Sequence, residues 1–362
     1  MTYDAVLLVS FGGPEAPYEV LPFMEQVTAG RGIPRERLEE VSQHYRLFDG
    51  RSPINDQNRT LRAALEAELA AQGDALPVYW GNRNSAPWLE SELRRMQADG
   101  VERALCLVTS AYASYSGCRQ YREDLARAAD AVGPGAPQLD KVRAYYNHPG
   151  FLEPQADLIH AALDELPEEA RAGARMVFTT HSIPRTMSRH SDYEVEHHEA
   201  CRLVMAAFPG RAWELVYNSR SGPPEVPWLT PDVNDHLTDL AAAGCPGVVV
   251  VPIGFVSDHL EVVYDLDIEA RATAAGLGLP FARAGTVGTD PRFVAGLAEL
   301  VRERHAGAPQ RALGTRGPNW DACPVDCCRV PGQEERPTVA SAPPPTRRGA
   351  PTAPADGREP SS

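Results

Sequence analysis

The 362-residue sequence predicts an α/β fold of two halves, each a four-stranded parallel sheet flanked by helices. Three observations carry this reading. Short apolar runs alternate with helical patterns along most of the chain, which favours parallel sheets with covering helices. The runs fall four and four. The halves also echo one another: Gly100-Val-Glu-Arg-Ala-Leu-Cys-Leu-Val-Thr-Ser110 matches the pattern of Gly244-Cys-Pro-Gly-Val-Val-Val-Val-Pro-Ile-Gly254, and each continues through a serine-containing loop into a helix.

In the first half the predicted strands are Ala5–Ser10, Leu76–Trp80, Ala104–Thr109 and Val142–Tyr145. In the second they are Arg175–Thr180, Glu214–Tyr217, Val248–Ile253 and Pro280–Arg283. Leu7-Leu-Val-Ser-Phe-Gly-Gly-Pro14 resembles Val177-Phe-Thr-Thr-His-Ser-Ile-Pro184 as a strand running into a loop. Two Rossmann-like halves facing each other would bring these loops to one cleft, where open α/β sheets place their ligands. The expected partition is 1–150 and 151–310 for the two domains, 311–330 for a cysteine-containing extension, and 331–362 for a disordered tail. That tail is rich in Pro, Ala and Thr and lacks the apolar residues needed to offset chain entropy.

A net charge of −14 argues against nucleic-acid binding and against attraction to anionic lipid. No run of 18 apolar residues occurs, and the chain enters its first strand without a basic leader, so a soluble cytoplasmic protein is expected.

The chemistry concentrates in two stretches. After the apolar run Gly247–Ile253 the chain breaks at Gly254 and restarts as a helix carrying His259, Glu261, Asp265 and Glu269. Spacing of i, i+4, i+8 lines the last three along one helix face. Three carboxylates so placed repel one another unless a cation or proton sits among them. Asp258-x-x-Glu261 also fits a helix cap with a reciprocal glutamate, a purely structural account. In the second stretch, Met176-Val-Phe-Thr-Thr-His-Ser-Ile-Pro184, an imidazole stands at a strand's carboxyl edge. Such a histidine is either a hydrogen-bonded structural residue or a proton acceptor near neutral pH. Beside carboxylates it is suited to a divalent metal. His190 with Glu194 and His197 or His198 offers a weaker metal set, against a solvated helix face.

Thr180-His-Ser-Ile-Pro184 together with Val251-Pro-Ile-Gly-Phe-Val-Ser-Asp-His-Leu-Glu-Val-Val-Tyr-Asp-Leu-Asp267 resembles the ferrochelatases, which insert Fe2+ into a porphyrin. Leu7–Pro14, Gly50-Arg-Ser-Pro-Ile54 and Pro227-Trp-Leu-Thr-Pro-Asp232 agree, in the family's order over residues 3 to 305. The resemblance implies two chelatase-like domains with a porphyrin cleft between them. It also implies iron insertion in haem biosynthesis without ATP, His181 and Glu261 as catalytic and Fe2+-holding residues, and Asp265 and Glu269 as a path outward. For the porphyrin it implies contacts from Ser52 and Tyr121, with Tyr45 on the same rim; Phe11, where related enzymes carry a tyrosine, follows the first strand beside the slot, and Arg31, Arg46 and Arg51 are either further rim contacts or solvated surface arginines. Gly12-Gly13-Pro14 reads equally well as an ordinary turn. Actinobacterial-type members imply coproporphyrin III as substrate, a monomer, and a downstream haem-pathway enzyme as partner. Protoporphyrin IX is the alternative substrate. Lower-ranked readings are a cobalt or nickel chelatase of sirohydrochlorin and a non-catalytic haem-binding or redox-sensing protein.

Cys106, Cys201 and Cys245 read as structural. Cys118 sits in a loop, and the chain later gives Cys323-x-x-x-Cys327-Cys328. Three close thiols and one distant thiol make four ligands. Some ferrochelatases hold a [2Fe–2S] cluster on such a set, and the resemblance implies one here. Zinc on the same thiolates, or free thiols, remain open. For the adjacent pair to ligate together, the chain must make a tight turn.

Overall fold

The computed structural model describes residues 2–342 apart from Arg31 and Gln333. The first sheet comprises β1 (Ala5–Ser10), β2 (Val78–Asn82), β3 (Arg103–Val108) and β4 (Gln138–Lys141), in the order β2-β1-β3-β4. The second comprises β5 (Arg175–His181), β6 (Trp213–Asn218), β7 (Val248–Val251) and β8 (Phe281–Arg283), in the order β6-β5-β7-β8. All pairings are parallel and the two orders are identical, so the echo between the halves is one of topology. In each sheet the chain order reverses beside the first strand, and crevices open there at the strands' carboxyl ends.

The strands β1, β2 and β7 form where side chains are buried on both faces, as parallel sheets demand. All four residues of β7 are valines with no exposure, each burial contributing about 1.5–3 kcal/mol. One continuous core joins Leu8, Leu105 and Tyr112 of the first half to Phe178 and Val251 of the second through Phe151 and Phe293. Those two phenylalanines lie on the helices Pro149–Glu165 and Pro291–His305, which pack against each other between the sheets. A buried bidentate pair reinforces the seam: Arg143 Nε and Nη2 donate to Glu303 at 2.8 and 2.9 Å.

The fourth strand departs from expectation. It lies at Gln138–Lys141, not Val142–Tyr145. Val142 makes one more ladder bond, to the Cys106 carbonyl, and the chain then leaves the sheet. Its apolar residues serve as a lid on the core, with Tyr145 buried and its hydroxyl donating to the Val108 carbonyl. The first part of the tail is also packed: β9 (Cys323–Pro324) pairs in parallel with β10 (Ser341–Ala342). Residues 343–362 of the expected disordered tail lie outside the described residues. Among the described residues, no helix is long and apolar enough to cross a membrane.

Candidate functional site

His181 is the last residue of β5, and its ring direction is set by bonding. Nδ1 faces the Ser182 carbonyl, which only accepts, so the proton sits on Nδ1. Nε2 then points its lone pair at Glu261 Oε1, 3.1 Å away. That oxygen finds no aligned hydrogen bond among the described residues. Two acceptors held this close require a positive charge between them, either a proton or a metal ion.

A second layer holds the imidazole in place. Tyr193 Oη donates to the His181 carbonyl at 2.8 Å and lies 2.7 Å from Thr180 Oγ1. The Thr180 hydroxyl is 2.9 Å from His197 Nε2, and His197 Nδ1 donates to the Tyr193 carbonyl at 2.7 Å. Burial pushes His197 down to about 3, so it is a neutral, fully bonded core residue. Gly254 ends the run from β7 because a Cβ there would meet Thr180 Oγ1 at 2.1 Å. Glu194 turns to Ser188, His190 bonds the Thr186 carbonyl, and among the described residues no metal set forms around them.

The acidic helix begins with His259 as its N-cap, whose Nδ1 accepts from Val262 N–H. Asp258 forms no capping box. It pairs at 2.9 Å with Arg283, which also grips Asp267. From Val263 to Ala270 the helix widens into a π-helix, a feature that recurs at functional sites. Asp265 Oδ2 accepts from Asn218 Nδ2 at 2.9 Å and from Ser219 Oγ. Ser219 reaches it from a left-handed conformation, φ 62°. Burial, then the charge of Glu261, lifts Asp265 to about 7 against those two bonds. Burial also opposes ionisation of Glu261, but the imidazoles of His181 and His259 outweigh it and hold the carboxyl below its usual range. Further out, Glu269 bonds the Tyr264 hydroxyl.

The first half closes over this column. His44, on the helix Arg35–Arg46, stacks on Tyr264 with centroids 4.1 Å apart. Beside it, burial and then the charge of Glu261 push the Tyr45 phenol up, which puts Tyr45 at the acids. Phe11 is 37% exposed at the end of β1 and meets the ring of Phe23 edge-on. Gly13 is more than a turn residue: a Cβ there would stand 2.7 Å from the side chain of Ser52, which is buried beneath it. Tyr121 is buried too, in the core of the first half under the Arg83 guanidinium, 4.4 Å from its ring centroid. The sequence reading overlooked Arg83. It is 8% exposed, 2.5 Å from Asp124 and 5.9 Å from the Phe11 ring centroid. Its signal was a cation just beyond the carboxyl end of β2, in Gly81-Asn-Arg-Asn-Ser85. Arg51 is spent on Asp56, Arg46 is exposed, and Arg31 lies outside the described residues.

The four thiols converge. Cys118 is buried in a π-helical turn, Tyr115–Arg119, and interacts with Cys323, which in turn interacts with Cys327. Cys327 and Cys328 sulfurs are 3.7 Å apart, and Cys328 takes the left-handed conformation (φ 56°) that a turn between adjacent ligands needs. Arg119 fixes this segment through the carbonyls of Val325 and Cys327 at 2.8 and 3.0 Å. The thiols form a chain, and among the described residues no three His, Cys, Asp or Glu side chains already surround a common centre.

Glu196 links the two regions: it accepts from Ala113 N–H at 2.6 Å and from Asn319 Nδ2 at 2.7 Å. Burial raises its pKa to about 8 despite those bonds. Between pH 4.5 and 8 the unfolded chain then carries fewer protons than the native one, so Glu196 makes stability fall as pH rises and contributes no slope above 8. Urea unfolding of Glu196→Gln from pH 5 to 8 should show a shallower decline than the unaltered protein; equal slopes would refute this.

The family model described as Ferrochelatase matches residues 3–305. A coproporphyrin III ferrochelatase of Streptomyces griseus is 53% identical over 363 residues, covering 94% of this chain and 96% of its own. One from Frankia alni is 56% identical over 343 residues, covering 91% and 87%. Among solved structures, SirB from Bacillus subtilis with Fe3+ superposes with a TM-score of 0.52 at 12% identity, over 85% of this chain and 97% of that one, a likeness of fold. An imidazole and a column of acids at the mouth of twin parallel sheets, matched over nearly the whole length, make this chain a member of the ferrochelatase family.

Proposed function

We propose that the chain inserts Fe2+ into coproporphyrin III, without a nucleotide, as a cytoplasmic monomer that passes its product to a downstream haem-pathway enzyme. The observation that carries the chemistry is His181 Nε2 facing the orphaned Glu261 Oε1 at 3.1 Å. Relatives bearing the name coproporphyrin III ferrochelatase support the substrate. Two pyrrole protons must leave before four nitrogens can hold the metal. His181 Nε2, its other nitrogen being fixed on Ser182, accepts them one at a time and hands the first to Glu261 before the second arrives. Glu261 shares the proton or holds the incoming iron, and Asp265, with its pKa of about 7, passes charge toward Glu269 near neutral pH. Phe11 and Tyr45 supply the slot wall, with Ser52 and Tyr121 as the expected carboxylate contacts. Because both are buried, Arg83 above Tyr121 is the cation that a propionate would meet there. The two sheets support a division into domains 1–150 and 151–310, followed by the extension 311–330.

Cys118, Cys323, Cys327 and Cys328 fit a [2Fe–2S] cluster as donors: all are soft, adjacent and largely withdrawn from solvent, and Cys328 has the required turn. When bound, the cluster supplies a one-electron redox centre tying the extension to the first half. Iron insertion is tested anaerobically with Fe2+ and each porphyrin, read by absorbance. Turnover with coproporphyrin III faster than with protoporphyrin IX, and independent of ATP, is expected. Binding without turnover would indicate a haem-binding protein, and preference for protoporphyrin IX would reassign the substrate.

A further inference from the structure

Two buried cations beside the thiols have no anionic partner. Arg122 is 1% and Lys141 5% exposed. Their neighbours Arg119 and Arg143 are each neutralised by a glutamate at 2.8 Å. Among the described residues Lys141 instead donates to the carbonyl of Val142, at 2.8 Å. Arg122 spends its donors on neutral groups: the Val339 carbonyl at 3.0 Å, Ser341 Oγ at 2.7 Å, and more distantly Thr338 Oγ1 and the Ala340 carbonyl. Its Nη1 has no hydrogen-bond partner among the described residues. Neither cation forms an ion pair with a carboxylate among the described residues. Burying unpaired charge is costly, so a site with two such cations is built for an anion.

The thiols are what these cations face. Arg122 lies one helical turn beyond Cys118, and Lys141 ends β4 opposite Cys106 of β3. Bonding to Cys323 and burial push the Cys118 thiol up, while Lys141 and Arg122 both pull it back; Lys141 acts on Cys323 as well. The acids nearby are committed elsewhere: Asp140 pairs with Arg103 at 3.0 Å and lies 3.8 Å from Arg304. Glu123 belongs to Arg119, and burial keeps Glu196 protonated up to about 8.

We propose that Arg122 and Lys141 are the counter-charges of a four-thiolate centre on Cys118, Cys323, Cys327 and Cys328, placed to stabilise the charge it gains on reduction. The proposal rests on the cluster reading above. Four thiolates, two ferric ions and two sulfides sum to a dianion, which two buried cations balance; four neutral thiols leave them unbalanced. With such a centre assembled, one electron from a reductant such as dithionite would make it a trianion without breaking a bond, and Arg122 and Lys141 would offset the added charge. Arg122 adds a mechanical role, since it pins residues 338–341 beside the site, where β10 pairs with β9.

The test is a redox titration of the anaerobically purified full-length protein, followed by visible absorbance and electron paramagnetic resonance. Lys141→Met should move the midpoint potential to more negative values. A tenfold change in the reduction equilibrium would correspond to about 59 mV for one electron. Lys141→Arg should restore the potential, and iron insertion should be unaffected in both. Arg122→Gln should shift it the same way. Visible bands that vanish in Lys141→Met and return in Lys141→Arg would also support the assignment. An unchanged potential with intact bands in Lys141→Met would overturn it while leaving the cluster reading standing. An unaltered protein that is colourless as purified, yet inserts iron, would overturn the cluster reading and this inference with it.

Discussion

His181→Ala lowers the turnover of iron insertion by about 100- to 10,000-fold, the range for losing a positioned proton acceptor. Porphyrin binding, followed by fluorescence quenching, persists. The size of the effect follows from geometry. The His181 ring is aimed by its Nδ1 bond to Ser182 and by the Tyr193 bond to its own carbonyl, leaving Nε2 directed at Glu261. Two imidazoles of the same half cannot substitute. His259 is turned to cap its helix, and His197 is locked between Thr180 and the Tyr193 carbonyl. A fall in kcat with little change in KM would mark the loss as one of chemistry. Retention of full turnover would remove His181 from the mechanism and leave the acids to act alone.

Arg143→Met should cost about 3–5 kcal/mol of stability, because it leaves the Glu303 carboxylate buried without its partner. The side chains of the pair are 0% and 2% exposed, and the guanidinium also donates to the Arg311 carbonyl at 2.7 Å. Three segments lose their common anchor at once: the exit from β4, the helix Pro291–His305 and the start of the extension. Urea unfolding at neutral pH measures the loss. Adding Glu303→Met should recover part of it, since apolar side chains replace a buried pair better than half of one does. A loss below about 1 kcal/mol, the scale of an exposed pair, would mean water reaches the seam.

Much of the fold was legible because the period of apolar residues changes sharply between strand and helix. Ala5–Ser10 and the valines of β7 are apolar throughout, the signature of strands covered on both faces. Val142–Tyr145 misled for the same reason. Its composition suits a strand, but the chain had already left the sheet, and those side chains fill the seam between the halves. His181 and Glu261 could be picked out because each stands where a strand or loop changes type. The burial of Tyr121 and Ser52 could not, since depth beneath Arg83 or Gly13 depends on how loops distant in sequence stack. Arg83 escaped notice because a single arginine in a loop carries no periodic signal. The ordering of residues 338–341 depends on one arginine inside the first half, and the composition of the tail gives no hint of it.

The widened turns at Tyr115–Arg119 and Val263–Ala270 follow the third strand of each sheet, at matching points of the two halves. Each sets the phase of the helix beyond it. Deleting a single residue at the start of either would rotate everything after it by about 100°, swinging Asp265 and Glu269 away from the mouth of one sheet or Arg122 away from the sulfurs at the other. Substitution can tune either port. Only a change in chain length would misalign it.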